Sequence, residues 1–187
     1  MRYLYLMALL WLGCSDRPPT TPETRPVENP NAGNTAIYDV DPDDPYEIGD
    51  GSFLDMRPGL PLAAFDELLG AGEREEAAAA TQVYYIRGRR GEELGYVVPD
   101  GTRIGRVVIT SPDVVTENGI RVGNSYAELT ERRGRLRVGE VREEEPAYLY
   151  LIDGDLQYRL NLANNQYEVD TATMDPTAVI THIEIAR

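Results

Sequence analysis

Alternating apolar and polar residues predict several β-strands along the chain. The clearest run is 156–162, where Leu156, Tyr158, Leu160 and Leu162 alternate with polar residues. Such alternation is typical of an antiparallel strand with one dry face and one wet face. Further strand signals, separated by turns rich in Gly and Asp, cover residues 82–86, 93–98, 104–109, 147–152 and 180–185.

Two short segments with helical punctuation repeat at a distance of 64 residues. Residues 57–70 align without gaps on residues 121–134, and both segments end in Gly. In the second copy, Ser125 and Glu128 have the spacing of a capping box at the start of a helix. In the first copy Pro61 takes the place of Ser125, and a first-turn proline is tolerated there. The pattern predicts one short helix in each copy.

Each predicted helix is followed by three predicted strands, which defines a repeated unit. We therefore predict an α+β domain over residues 52–187, built from two tandem repeats at about 53–113 and 114–187. Each repeat contributes one helix and a three-stranded antiparallel meander. The strands are expected to form one curved sheet with both helices on one face.

The start of the chain has the features of a lipoprotein signal peptide. An apolar run, 3–12, is followed by Gly13 and by Cys14, the only cysteine of the chain. This run is shorter than the roughly 20 apolar residues of a membrane-spanning helix. We interpret residues 1–13 as a signal peptide and Cys14 as a lipidated residue. An ordinary signal peptide with an unmodified cysteine is the alternative, because the residues before Gly13 depart from the usual lipobox.

Residues 14–51 have the composition of a flexible tether. The segment 15–51 contains seven of the 13 prolines, nine acidic residues and two arginines. With few apolar residues, it buries too little surface to offset the entropy of ordering. Its negative charge is expected to hold the folded part away from an anionic membrane. Ser15 after the cysteine favours the outer membrane, facing the periplasm, over the inner membrane.

The charge balance excludes some functions. The net charge is −14, the 18 cationic side chains are all arginines, and no basic stripe points to nucleic acid. The absence of lysine excludes Schiff-base chemistry. Asp39, Asp41 and Asp43 have the spacing of a calcium loop, but Asp44 stands where that loop needs Gly. We therefore predict no metal and no cofactor.

The second helix motif and its surroundings resemble a known fold. Gly123, Ser125, Glu128 and Leu129, followed by Gly134 and by predicted strands, resemble the repeated unit of the beta-lactamase inhibitory protein. The motif is also similar to the small lipoprotein of the outer-membrane β-barrel assembly machinery. The resemblance covers roughly residues 53–187 and implies an envelope lipoprotein. The first copy departs from the motif, and no inhibitory residue is carried over.

Residues suited to catalysis are few. His182 is the only histidine, and alternation places it on one strand face with Ile180 and Glu184. We expect it to lie on the surface, although a hydrolase that uses His182 with Glu184 is one alternative. No Gly-x-Ser-x-Gly turn is present. We therefore predict that the protein is not an enzyme.

Tyrosine dominates the aromatic residues, with 12 Tyr against two Phe. Its large ring and polar tip suit a surface that is partly in contact with a partner. We predict a non-catalytic protein-interaction module, anchored to the membrane and bound to an envelope protein. Inhibition of an envelope hydrolase is the first alternative. The candidate surface comprises Tyr84, Tyr148, Tyr150 and Tyr158.

Overall fold

A computed structural model describes residues 46–76, 79–139, 148–163 and 170–186 of the chain. Of these residues, 52% lie in strands and 10% in helices. The predicted signal peptide, Cys14 and most of the predicted tether lie outside the described residues.

An eight-stranded antiparallel sheet dominates the described part of the chain. Its strands are β3 (Leu69–Glu76), β4 (Ala79–Arg87), β5 (Glu93–Asp100), β6 (Arg103–Ile109), β8 (Arg137–Val138), β9 (Tyr148–Asp153), β10 (Leu156–Ala163) and β11 (Ile180–Ile185). Their order in the sheet is β3-β4-β5-β6-β11-β10-β9-β8. The first four strands form one half of the sheet and the last four form the other. The two halves meet at β6 and β11, where Ile109 pairs with Ile183.

Smaller elements pack on one face of this sheet, which we call the core face. A three-stranded sheet has the order β2-β1-β7 and consists of β1 (Glu47–Gly49), β2 (Ser52–Phe53) and β7 (Val115–Thr116). A 3₁₀ turn (Leu62–Phe65) and one α-helix, α1 (Tyr126–Arg133), complete the described elements. Buried apolar residues from β1, β2, the 3₁₀ turn and α1 join the sheet in one core cluster.

The core face follows from strand alternation. In the register, Ile86 lies opposite Gly95, which lies opposite Ile109, and the row continues through Ile183 to Tyr158. Residues directly opposite each other in antiparallel strands project from the same face. Burial of this row and its neighbours against the helix and the small sheet is the main apolar contribution to stability.

The predicted fold class is wrong. The described residues contain one α-helix, and each half of the large sheet has four strands rather than three. The additional strands are β3 and β8. The predicted first helix is a 3₁₀ turn that ends at Phe65, and Gly70 lies inside β3 opposite Tyr85. The Pro61 side chain does not cap this turn. The residues that would extend the turn into a longer helix pair with β4 instead.

The second copy of the motif forms the predicted helix. The Ser125 hydroxyl accepts a hydrogen bond from the Glu128 N–H at 3.2 Å, and the Glu128 carboxylate accepts from the Ser125 N–H at 2.6 Å. These two bonds form the capping box. Gly134 ends the helix with a φ of 73°. The capping chemistry present only in this copy explains why only this copy is α-helical.

The two segments nevertheless share a pairing pattern. The Gly59 N–H donates to the Ile104 carbonyl at 2.7 Å, and the Gly123 N–H donates to the Ile180 carbonyl at 2.9 Å. In each half, the segment before the helix or turn therefore pairs with the last strand of that half. The repeat found in the sequence corresponds to this shared pairing.

The folded part begins before residue 52. Tyr46 and Ile48 are buried in the core cluster, although the sequence pattern assigned them to the tether. The Tyr46 hydroxyl donates to a Glu92 carboxylate oxygen at 2.9 Å and accepts from the Arg89 N–H at 2.7 Å. These bonds fix the first described residue to the turn between β4 and β5.

A tight turn after β2 has an uncommon backbone conformation. Leu54 and Asp55 have φ values of 50° and 64°, in the left-handed region. The flanking Phe53 and Met56 exchange two backbone hydrogen bonds and are fully buried. Residues other than Gly are strained in this region, so the contacts of the buried Phe53 and Met56 hold the turn in place.

Candidate functional site

The second face of the large sheet, opposite the core face, carries the most distinctive chemistry. One row of opposite residues runs from Tyr85 through Tyr96, Val108 and Glu184 to Gln157. A neighbouring row joins Tyr150, Arg159 and His182. Alternation places this row on the second face, because the residues before and after each member of the row point to the core face and fill the core.

The four predicted tyrosines divide between the two faces. Tyr150 lies opposite Arg159, and the Arg159 guanidinium stacks on the Tyr148 ring, so both tyrosines belong to the second face. Tyr158 lies in the core with 0% exposure, and Tyr84 packs against the same cluster. The predicted surface is therefore not a single surface. Tyr84 and Tyr158 support the core.

Two tyrosines that the sequence prediction did not select belong to the second face. Tyr85 and Tyr96 are directly opposite each other. Tyr96 forms the apolar cluster of this face with Val83 and Val108, and Tyr85 packs against it. Tyr84 and Tyr85 are adjacent, so one of them must project from each face. The sequence shows that the two tyrosines are adjacent, but it does not show which of them points into the core.

Among the residues that the structure describes, five arginines lie on the second face. Arg106 is opposite Val98, a residue of the apolar cluster of this face, and Arg137 belongs to the row of Gln157. The Arg87 side chain crosses Gly70, within 3.4 Å of where a β-carbon would stand. Arg74 and Arg159 complete the set. We call this surface, with Tyr85, Tyr96, Tyr148, Tyr150, His182, Glu93 and Glu184, the tyrosine–arginine face.

Two of these guanidinium groups are held in place by aromatic rings. Arg74 lies over the Tyr96 ring at 4.5 Å from its centre, and Arg159 lies over the Tyr148 ring at 4.1 Å. The Arg159 Nε also donates to the Thr181 hydroxyl at 3.1 Å. A guanidinium over an aromatic ring is attracted by the negative face of the ring. The two rings therefore hold both cations on this face.

The carboxylates of this face lie beside arginines. Glu93 is 3.8 Å from Arg74, and both side chains are partly exposed. Glu184 is 2% exposed, and the register places it diagonally from Arg106 on one side and from Arg159 on the other. A buried carboxylate needs cationic or hydrogen-bonding neighbours, and this register provides them.

His182 is buried beneath the arginines rather than on the surface. It is 8% exposed, and its Nδ1 has no hydrogen-bond partner among the described residues. A β-bulge at Thr181 also separates its side chain from Ile180, which belongs to the core. The prediction that His182 lies on the surface and shares a face with Ile180 is wrong on both points.

The surroundings of His182 keep the imidazole neutral. Burial, together with the positive charges of Arg159, Arg74 and Arg106, lowers the pKa of His182 to about 3. A base with so low a pKa accepts a proton poorly near neutral pH. The residues around it therefore favour a structural or binding role for His182 over general-base catalysis with Glu184.

Two surface clefts lie away from this face. The larger, of about 390 Å³, is lined by Asp50, Gly51, Arg57, Asp155 and other residues. The smaller, of about 180 Å³, shares three of these residues and adds Glu117 and Asp153. Among the described residues, no group of three or more His, Cys, Asp or Glu side chains is placed to hold a metal ion.

The described helices do not include one long and apolar enough to cross a membrane. No known protein family and no curated protein matches the chain. Among solved structures, the chain is similar to the uncharacterized protein yfeY from Escherichia coli, with 14% sequence identity and a TM-score of 0.42. That similarity covers 69% of this chain and 91% of the other.

Proposed function

We propose that this chain is a lipid-anchored protein of the bacterial envelope that acts as a non-catalytic interaction module. Residues 1–13 direct export, Cys14 carries the lipid, and the acidic segment after it separates the folded part from the membrane. The folded part then presents the tyrosine–arginine face to an envelope protein.

One observation carries this proposal. Among the described residues, five arginines lie with four tyrosines on one sheet face of a chain whose net charge is −14. The arginines, Tyr85 and Tyr148 are partly or fully exposed, whereas Tyr96 and Tyr150 are 3% exposed and support the face from below. Arginine and tyrosine are the residue types that protein interfaces favour over the rest of the surface. A strongly acidic chain that gathers cations on one face has a surface with a preferred partner.

Charge reversal on the face tests the proposal. Arg87 and Arg137 are exposed strand residues, so Arg87→Glu with Arg137→Glu changes the face without opening the core. The matched control is Arg90→Glu with Arg135→Glu, at two exposed positions in turns. We expect crosslinking in an envelope extract to give a defined protein adduct that the face variant loses and the control keeps. Equal adducts from both variants would refute the proposed surface.

The anchor is tested separately. Mass spectrometry of the mature chain is expected to show an acylated N-terminal Cys14, and Cys14→Ser is expected to release the protein from membranes. An unmodified Cys14 thiol in a membrane-bound chain would contradict this part of the proposal.

A further inference from the structure

An edge of the large sheet is covered by a side chain of the neighbouring strand. Among the described residues, β3 pairs only with β4, so its other side is an edge of the sheet. Such an edge offers unpaired N–H and C=O groups to a strand of another molecule. We propose that Tyr85 protects this edge, and that a second copy of this chain pairs with β3 when the Tyr85 side chain is removed.

Strand register identifies the backbone groups of β3 that face the open edge. The Arg87 N–H donates to the Leu68 carbonyl at 3.2 Å, and these two residues are the next pair in the register of β3 and β4. Hydrogen-bonded and non-hydrogen-bonded pairs alternate along antiparallel strands. The even-numbered residues of β3 therefore direct their N–H and C=O groups toward β4. The residues that direct theirs toward the open edge are Leu69, Ala71, Glu73 and Glu75.

The Tyr85 hydroxyl holds an acceptor in the middle of this edge. Tyr85 lies opposite Gly70, and its ring passes over Gly72 because glycine has no side chain to exclude it. The hydroxyl reaches beyond Gly72 and donates to the Glu73 carbonyl at 3.0 Å. An added strand would bring its own N–H to this same carbonyl. The hydroxyl competes for that acceptor and the ring occupies space over the strand, so both oppose strand addition.

The residues of β3 suit antiparallel pairing with β3 of a second copy. In a twofold arrangement centred on Gly72, Ala71 of each copy is opposite Glu73 of the other. Leu69 is then opposite Glu75, so no two carboxylates are directly opposite. A register centred on Glu73 would place two carboxylates opposite each other, which is destabilising. The register centred on Gly72 also gives the Ala71 N–H the Glu73 carbonyl as its acceptor.

Tyr85 acts at the centre of this pairing. In each copy the Tyr85 ring lies over Gly72, the residue on the twofold axis, and the hydroxyl holds the Glu73 carbonyl that the pairing needs. Pairing therefore requires both tyrosine side chains to leave these positions. Glu73 and Glu75 are exposed and add repulsion between the copies, which salt screens. High salt does not remove the steric block by Tyr85, so it separates the two effects.

Sedimentation equilibrium of the full chain measures the pairing, in a density-matched non-ionic detergent with about 0.5 M salt. We expect the unchanged chain to stay monomeric and Tyr85→Ala to form a dimer. Its dissociation constant is expected to be at least about tenfold lower, because two carbonyls are freed in each dimer. Tyr85→Phe keeps the ring and removes only the hydroxyl, so its affinity is expected to lie between the two. Tyr84→Ala is the matched control, because it truncates the adjacent tyrosine, which packs against the core.

A second substitution shows whether the dimer forms through β3. Ala71→Pro removes an N–H that faces the open edge and leaves the hydrogen bonds to β4 in place. Added to Tyr85→Ala, it is expected to restore the monomer. A dimer that persists with Ala71→Pro forms elsewhere and overturns the proposal.

The remaining outcomes are equally decisive. A folded Tyr85→Ala variant that stays monomeric overturns the proposed protection, as does equal dimerisation of Tyr84→Ala. A dimer of the unchanged chain that Ala71→Pro abolishes would show that Tyr85 does not block the edge. If circular dichroism shows that Tyr85→Ala does not fold, Tyr85→Phe decides. An affinity of Tyr85→Phe equal to that of the unchanged chain then refutes the role of the hydroxyl.

Discussion

The ring of Tyr85 lies over Gly72 so closely that a β-carbon at position 72 would come within 2.4 Å of the Tyr85 Cε2 atom. The Tyr85 hydroxyl also donates to the Glu73 carbonyl at 3.0 Å. A tyrosine of β4 thus covers a glycine of β3, which is at the edge of the large sheet. The ring protects a strand whose residues have little intrinsic preference for a sheet.

We predict that Gly72→Ala destabilises the protein by about 1–3 kcal/mol, because the new methyl group forces the Tyr85 ring away from β3. Urea denaturation measures this change. Gly70→Ala is the matched control, because a β-carbon there meets only the flexible Arg87 side chain at 3.4 Å. We expect Gly70→Ala to be neutral or slightly stabilising, since glycine is unfavourable within a strand. If Tyr85→Ala does not reduce the cost of Gly72→Ala, the proposed clash is wrong.

The capping box at α1 gives a second prediction. Ser125→Ala removes the hydroxyl that caps Glu128, and we expect a loss of about 1 kcal/mol in the free energy of unfolding. Glu131→Ala, on the exposed side of the same helix, is expected to change stability by less than about 0.5 kcal/mol. Equal effects of the two substitutions would show that the cap does not stabilise the helix.

The pH dependence of stability gives a third prediction. The pKa of His182 is about 3 in the folded protein, against an ordinary value of 6.5. Between these values the unfolded chain takes up a proton that the folded protein does not, so stability falls as pH falls from 6.5. The contribution of this residue is at most about 1.4 kcal/mol per pH unit. Above pH 6.5 this residue adds no pH dependence, because its imidazole is neutral in both the folded and the unfolded chain.

Two measurements check the role of His182. The Hε1 resonance is expected to show no titration between pH 8 and pH 5 in the folded protein. His182→Gln is expected to reduce the slope of unfolding free energy against pH over the range 6.5 to 4. Glu128 also contributes to the pH dependence. The hydrogen bond from the Ser125 N–H is the main cause of its lowered pKa, so protonation of its carboxylate at lower pH destabilises the fold. A His182 titration midpoint near 6.5 would be incompatible with the buried site.

The strained turn after β2 gives a fourth prediction. Asp55 has a φ of 64°, which glycine adopts without strain. Asp55→Gly is therefore expected to stabilise the protein by about 0.5–1 kcal/mol in thermal or urea unfolding. Asp66→Gly is the control, because Asp66 is exposed with a φ of −53° and glycine there only adds freedom to the unfolded chain. Destabilisation by both substitutions would show that the turn is not strained.

Local patterns in the sequence predicted much of the sheet. The alternation over 156–162 lies within β10, and the capping box begins α1 where the spacing of Ser125 and Glu128 places it. The pattern failed at β3, whose Gly and Glu residues have low strand propensity. That strand forms because it pairs with β4 and because the Tyr85 ring covers it, and neither contact is visible in a local pattern.

The candidate site was predicted only in part. Tyr148 and Tyr150 lie on the sheet face opposite the core face, Tyr150 with 3% exposure, whereas Tyr84 and Tyr158 do not. Tyrosine suits both a core rim and a contact surface, so residue type does not decide between the faces. The bulge at Thr181 shifted the alternation that placed His182. The sequence gives only the number of arginines, and the strand register is needed to see which of them lie on one face.

The seam between β6 and β11 determines the order in which the sheet can be assembled. Each half pairs strands that are close in sequence, but β6 finds its central partner only when β11 has been synthesised. Until then, the first half of the sheet has an unpaired edge at β6, beside its apolar core residues. A partly synthesised chain would thus carry a pairing-competent edge in the middle of its future core, and a chaperone that recognises extended strands would bind there.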